Sequence, residues 1–303
     1  MKYILSLSFG KDSMALLLEV LKRKMPLDYV IYCDIKYDNE ISANHPLMAE
    51  WIPKAEKILK EKFGVEVIHL YPNKTFEEQF YTKKEKGKHK GDIYGYPYSV
   101  GSWCNDRLKL QPIKQFLSRV MKEYYCITEY VGIAKDEHQR LDRYKSLETK
   151  NHKYVTLADL DISEKEATEI CKKHNLLSPI YDNAQRGGCW FCIKQSSADL
   201  YELYTKYPHL FNKLVEIEKD SINSFTPRKT IRQIKEEFDA GKRPRKRNFD
   251  KNKRYETVKG NINKYKNMWN KLKEFVENKM ETSSETEWYT LEEIQLEMKE
   301  LKE

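Results

Sequence analysis

The stretch YILSLSFGKDSMALLLEVLKRK, residues 3–24, decides the fold. Residues 3–7 form an apolar run suited to a buried strand. Residues 13–24 place Met14, Leu17, Leu18 and Leu21 at helical spacing, and Pro26 ends the pattern. Between the two lies Ser8-Phe9-Gly10-Lys11-Asp12-Ser13. In such a strand-to-helix turn Gly10 permits a tight backbone path that brings amide N–H groups close to an anion. Ser8 and Ser13 add hydroxyl donors, and the helix starting near Asp12 aims the positive end of its dipole at the same point. The spacing G-x-x-x-x-G-K-S/T of an ordinary nucleotide P-loop is absent, so the phosphate site is of another kind.

Outward from this turn the pattern repeats. Residues 29–33 are a continuous apolar run, as in a strand buried on both faces of a parallel sheet. Residues 51–63 read as a helix closed by Gly64, and residues 65–70 as a third strand. Strand and helix alternating over 70 residues predict an α/β fold, a Rossmann-like doubly wound parallel sheet. The lysine-, glycine- and tyrosine-rich stretch 83–101 reads as a mobile loop or lid. A helix over 108–124, a strand over 125–133 and a helix over 163–174 come next, the last capped by Ser163 with Glu166 completing a capping box. After about residue 198 the character changes to amphipathic helices at 201–222 and 230–240, a basic linker at 241–247, and charge-rich helix over 271–303 with an acidic end that reads as partly disordered. The expected division is a nucleotide-binding domain over 1–198, including the C-x-x-C segment, and a helical, basic C-terminal extension over 199–303.

Composition sets bounds on partners. Of 303 residues 40% are hydrophobic and 12% aromatic, including 21 tyrosines, which is enough apolar surface to offset the entropy of ordering. Mean hydropathy is −0.81 with 34% charged residues, and 55 Lys+Arg against 47 Asp+Glu give +8 and a pI near 8.9. That balance is a mild attraction for phosphate-bearing partners, or equally the mark of solvated lysine-rich helices. The N-terminal run lacks a small-residue cleavage site, and no stretch approaches the roughly 20 apolar residues of a bilayer span. A soluble, cytoplasmic protein without a membrane partner is expected, and a homo-oligomer is compatible with the sequence. Six cysteines are too few and too scattered for a disulfide scaffold, so a special cysteine here is a metal ligand or a nucleophile.

The hexamer at 8–13 resembles the S-G-G-K-D-S motif of the PP-loop ATP pyrophosphatases, in particular the phosphoadenosine phosphosulfate (PAPS) reductase family. Phe9 stands where the family has its first glycine, which suits a side chain pointing into the core. Cys33-Asp34 with Asp38-Asn-Glu40 resembles the family's acidic cluster at the nucleotide and its magnesium. Trp103-Cys104-Asn-Asp-Arg107-Leu-Lys109-Leu-Gln-Pro112 resembles its cysteine, basic pair and proline ahead of a helix. Gly132-Ile-Ala-Lys-Asp136-Glu137-His-Gln-Arg140 resembles its segment G-I-R-x-D-E-x-x-R. The four motifs, in the family's order, cover roughly residues 1–200.

The resemblance implies an adenine nucleotide alpha hydrolase-like fold that binds ATP. Its nucleotide site would comprise Ser8, Phe9, Gly10, Lys11, Asp12, Ser13, Asp34, Arg107, Lys109, Gly132, Glu137 and Arg140, with Lys11, Asp12 and Cys104 in catalysis and Mg2+ on Asp34. The residues agree with this by themselves. An acid at the C-terminal end of a parallel strand lies in the crevice of an open α/β sheet, where it can hold a hard cation. Arg107, Lys109, Arg140 and Arg143 are cations able to neutralise a triphosphate or sulfate.

Arg186-Gly-Gly-Cys189-Trp-Phe-Cys192 is the second local signal, two thiols on a tight turn. Cys104 is the best third candidate, since its segment belongs at the same mouth of the sheet. Three cysteines suit a 4Fe-4S cluster with one open iron. The alternatives are Zn2+ completed by a histidine, or a redox pair of Cys189 and Cys192. Cys33, Cys126 and Cys171 read as core. The family's C-terminal E-C-G-x-H motif is absent. The leading expectation is therefore adenylation of a substrate oxygen with release of pyrophosphate, and then sulfur delivery from a cysteine-bound cluster or persulfide. The alternatives are an adenylyl-sulfate reductase using Cys104 or the Cys189/Cys192 pair, and a nucleotide-switched nucleic-acid-binding component using Arg243, Arg245, Lys246 and Arg247. The acceptor is left open among tRNA, DNA, a free nucleotide and a small acid.

Overall fold

In the computed structural model, the structure describes residues 1–98, 102–182, 188–226, 228–244 and the single positions 267, 270 and 274. Five parallel strands, β1 (Lys2–Ser6), β2 (Tyr29–Cys33), β3 (Val67–Leu70), β4 (Ile127–Val131) and β5 (His152–Thr156), form one sheet in the order β3-β2-β1-β4-β5. Ser6 is in register with Ile31 on one side and Val131 on the other. The order reverses at β1, so the connections leaving β1 and β4 diverge and open a crevice above their C-terminal ends. This is the doubly wound α/β sheet expected, extended by a strand, β5, that the sequence pattern does not announce. Its residues HKYVT lack the apolar run of β1 and β2, as befits a strand at the sheet edge.

Period-two alternation sorts the strand residues between two layers. On one face Leu5 and Tyr130 join Met14, Leu16 and Leu17 of α1 (Lys11–Lys22), along with Ala167 and Cys171 of α7 (Glu164–Lys173). Helix α1 is buried from Ser13 to Val20 because α7 covers the side that the sheet leaves open. On the other face Ile4, Ile31, Leu70 and Ile127 meet Leu117 and Val120 of α5 (Gln111–Tyr124). Helix α2 (Pro46–Phe63) ends as expected at Gly64, in the left-handed region at φ 66°. The predicted capping box at α7 is present: Glu166 N donates to Ser163 Oγ, and Ser163 N donates to the Glu166 carboxylate at 2.8 Å.

A second, aromatic core lies beyond the sheet. Tyr37, Phe76 and Phe80 of α3 (Phe76–Tyr81), Tyr96, Trp103 and Trp190 pack with α8 (Ser197–Lys206), α9 (Pro208–Glu218) and α10 (Ile231–Asp239). Shared packing makes Met1–Arg247 one compact unit, with Asn248–Glu303 a second, so the boundary expected at 198/199 falls inside the first unit. The single helix expected over 201–222 is two helices. Pro208 has no N–H to continue α8, and Tyr207 before it leaves the helical region at φ −132°.

The stretch expected as a lid is a built hairpin over residues 83–93. Lys83 pairs antiparallel with Ile93, Lys84 N donates to Asp92 O at 2.8 Å, and Gly91 N donates to Lys84 O at 2.9 Å. Gly87 and Gly91, at φ 85° and 93°, supply the left-handed turns. A short α4 (Trp103–Asn105) runs through a π-helical turn, Asp106–Leu110, into α5. Helix α6 (His138–Lys145) comes after the loop that leaves β4. Arg245, Lys246 and Arg247 lie outside the described residues, as does nearly all of the charge-rich helix expected over 271–303; Arg243 is exposed. Among the described residues no helix is long and apolar enough to cross a membrane.

Candidate nucleotide and cysteine site

The loop from β1 to α1 occupies the crevice that the strand order creates. Ser8 N donates to Ser13 Oγ at 3.0 Å, the two serine hydroxyls are 2.9 Å apart, and Ser13 Oγ reaches Gly10 O at 3.2 Å, so the loop is closed on itself. Met14 N makes the first helical bond, to Gly10 O. The amides of Asp12 and Ser13 are thus in the first turn, where a helix supplies no carbonyl to accept their N–H groups. Lys11 N donates to Tyr181 Oη at 3.0 Å.

The roles of Phe9 and Gly10 are exchanged relative to those the sequence suggests. Gly10 has an ordinary extended backbone, φ −77°, ψ 160°. The left-handed turn falls on Phe9, at φ 55°. That conformation costs a non-glycine residue about 1–2 kcal/mol. Phe9 is 1% exposed, with its ring edge-on to Tyr32 at 5.0 Å, a burial that stabilises by about 1.5–3 kcal/mol and offsets the strain. At Gly10 a Cβ would stand 3.1 Å from Tyr181 Oη, a tight contact that the tyrosine would have to relieve by a few tenths of an ångström. Gly132, just past β4, is tighter still. A Cβ there would stand 2.4 Å from Ser13 N and 2.8 Å from Asp12 C.

Lys11 and Asp12 form the charged centre. Lys11 Nζ lies 2.5 Å from Asp12 Oδ1 and 3.1 Å from Glu164 Oε2, with its side chain 11% exposed. Burial works against the ammonium, but the Asp12 and Glu164 carboxylates outweigh it and hold its pKa above the ordinary value. Burial raises the Asp12 carboxyl; Lys11 opposes the rise, while Glu137 and Glu164 add to it. A buried acid and base with perturbed titration in a crevice are the marks of a functional site. Glu137 accepts from Ala134 N at 3.3 Å and from Arg140 Nη1 at 2.7 Å on both oxygens. Arg140 therefore neutralises Glu137 instead of standing free for a phosphate. Asp136 accepts from Glu164 N at 3.0 Å and ties this loop to the start of α7.

Two other expected groups lie elsewhere. Arg107 turns toward the hairpin, its Nη2 donating to Tyr94 Oη at 2.6 Å and its guanidinium 4.7 Å from the Tyr94 ring centre. Lys109, on the same π-helical turn, is exposed and acts on Cys33: burial pushes the Cys33 thiol up to about 11, and Lys109 opposes that. Asp34 is at the end of β2 as expected, but shares His69 with Glu56: Nδ1 is 3.5 Å from Asp34 Oδ2 and Nε2 is 2.5 Å from Glu56 Oε1. Asp38 accepts from the amides of Glu40 and Ile41 and from Lys213, which closes the turn after β2.

The C-x-x-C turn sits on the segment that leaves β2. Cys189 pairs with Asn44 in an isolated antiparallel bridge, Trp190 N donates to Ala43 O at 3.0 Å, and Trp190 Nε1 donates to Ser42 O at 2.9 Å. Trp190 is fully buried against Tyr37, at 4.6 Å between ring centres. Tyr32 links this turn to the phosphate loop. Its ring meets Phe9, its hydroxyl accepts from Asn44 Nδ2 at 2.7 Å, and Asp34 and Cys189 add to the rise that burial imposes on its phenol. Cys104 and Cys189 both lie against the aromatic core. Burial pushes the Cys104 thiol up to about 11, and the neighbouring Cys192 adds to the rise. Among the described residues no three His, Cys, Asp or Glu side chains stand in an arrangement that could hold a metal ion. Cys171 is core as expected, buried beneath the loop with Sγ donating to Lys11 O at 3.1 Å.

Fold and site define a Rossmann-like α/β protein with a self-bonded SFGKDS turn at its topological switch point. No family model matches the chain, and no curated protein matches it. Among solved structures it is similar to the U34-tRNA thiolase NcsA from Methanococcus maripaludis with its 4Fe-4S cluster. Identity is 17%, coverage is 72% of this chain and 70% of that one, and the TM-score is 0.37. The fold assignment rests on the strand order itself.

Proposed function

We propose that the protein is a PP-loop enzyme, akin to the PAPS reductase family, that binds ATP and adenylates a substrate oxygen. The observation that carries this is the closed SFGKDS turn at the reversal of strand order, offering the Asp12 and Ser13 amides beside Lys11. In the reaction the substrate oxygen forms a bond to the α-phosphorus, the bond to the β-phosphate oxygen breaks, and pyrophosphate leaves. The loop amides and Lys11 stabilise the charge that accumulates on the leaving group. Asp34 is the acid at a strand end suited to Mg2+, which when bound supplies further charge neutralisation. Displacement of AMP by a sulfur nucleophile completes the proposed sequence, with tRNA or DNA as acceptor.

A metal-bound role for Cys104, Cys189 and Cys192 is a proposal drawn from the C-x-x-C pattern, since as placed they do not stand in a ligating arrangement; the raised Cys104 thiol speaks against a free nucleophile. A reactive thiol needs a lowered pKa, and a metal ion is what draws the proton from a buried cysteine. The same observation places PAPS reduction second. Calorimetric titration with Mg-ATP tests the first reading directly: binding is expected, and its absence in well-folded protein overturns it. For the cysteines, anaerobically purified protein is expected to contain iron with acid-labile sulfide, or zinc. Cys104→Ser and Cys192→Ser are each expected to lose most of that metal, and unchanged metal content in the double variant would return these thiols to the core.

A further inference from the structure

We infer that the hairpin over residues 83–93, with the aromatic ground at its foot, is a docking surface for a single-stranded segment of nucleic acid. This deepens the proposed function by naming where its acceptor is held, and rests on that reading only for the chemistry after binding. The hairpin carries Lys83, Lys84, Lys86, Lys88 and Lys90 against Glu85 and Asp92, so three of the chain's +8 net charges lie in this one element. His89 is 3.2 Å from the Asp92 carboxylate. Among the described residues none of the five lysines is within ion-pair distance of a carboxylate, whereas lysines such as Lys206, Lys219 and Lys235 all have one. From Lys84 to Lys90 every second residue is a lysine on a backbone fixed by ladder bonds, so the cations are presented together at little further ordering cost.

The foot of the hairpin supplies faces for bases. Tyr94 lies under the Arg107 guanidinium at 4.7 Å and the Lys84 ammonium at 5.9 Å, and Tyr98 is 63% exposed. Planar guanidinium and tyrosine faces are what unpaired bases stack on, and lysines beside them neutralise the backbone. The same foot leads to the cysteines. Trp103, next to Cys104, donates Nε1–H to Gly95 O at 3.1 Å, and Ser102 Oγ donates to Tyr98 O at 2.6 Å. A strand lying along the lysines with a base on this ground is thereby directed toward Cys104. Only the charge, without the stacking faces, would be needed for an acidic peptide.

The test is fluorescence anisotropy with labelled single-stranded RNA and DNA of one sequence, titrated over a range of salt without ATP. Lys86→Ala, Lys88→Ala and Lys90→Ala combined remove only exposed side chains. The triple variant is expected to bind at least about tenfold more weakly, with a log-log salt slope shallower by about 2. Tyr98→Ala is expected to bind about tenfold more weakly at unchanged slope. Whichever of the two strands shows these changes is the class of acceptor. No binding by the parent, equal affinity and slope in the triple variant, or equal competition by polyglutamate would each overturn the proposal. Mg-ATP titration of the same proteins separates the two claims, since hairpin-dependent binding without ATP binding sinks the proposed chemistry and leaves the hairpin standing.

Discussion

Lys11→Ala is expected to lower ATP-dependent pyrophosphate release by about 10²–10³-fold while the protein stays folded. The ammonium is the cation fixed at the SFGKDS turn, positioned by Asp12 and Glu164 and kept charged by them. Burial raises the Asp12 carboxyl and Lys11 opposes the rise, so loss of the ammonium lets that rise grow and lessens the cost of leaving Asp12 without its partner. Pyrophosphate release by a coupled assay, with circular dichroism and thermal melting alongside, checks both halves. Activity within a few-fold of the parent would remove Lys11 from the mechanism.

The largest structural effect is expected from Gly132→Ala. The added methyl would meet backbone atoms of Ser13 and Asp12, which cannot rotate away. Either the start of α1 shifts off β4 or the end of β4 moves, and both disturb the turn proposed to hold the phosphates. A loss of about 3 kcal/mol is expected, a fall in Tm of roughly 6–12 °C, together with loss of Mg-ATP binding. A variant that melts and binds ATP like the parent would show that α1 and β4 are not in the close contact described.

Much of this was legible because local signals and global fold agree. The strand at 29–33, the Gly64 stop and the Ser163 capping box each depend on neighbours in sequence. What was missed depends on distant residues. Tyr181 touches the phosphate turn across most of the sheet domain, and nothing around Pro179–Asp182 announces it. Strand β5 is mostly polar because its His152 faces Glu129 and its Tyr154 meets Tyr144 of the short polar helix α6, which buries no residue of its own. Composition assigns the left-handed backbone to Gly10, whereas the core contact with Tyr32 makes Phe9 tolerable there. Lysine and glycine content reads as a loop at 83–101, and over 83–93 Gly87 and Gly91 supply the positive-φ turns of a hairpin, while 99–101 lie outside the described residues.

The central position of β1 has a consequence for how the chain is made. Strand β1 is synthesised well before its partner on one side, β4, and before the glycine that seats α1, which arrive only around residue 132. At about 5–20 residues per second the nascent β1 waits roughly 6–25 s with one edge bare, an interval in which an unpaired parallel edge is open to wrong partners. Glu164, Cys171 and Tyr181, which complete the turn, come later still. The turn is therefore complete only once synthesis has passed Tyr181, and a ligand of the completed turn would stabilise finished protein selectively over truncated chains.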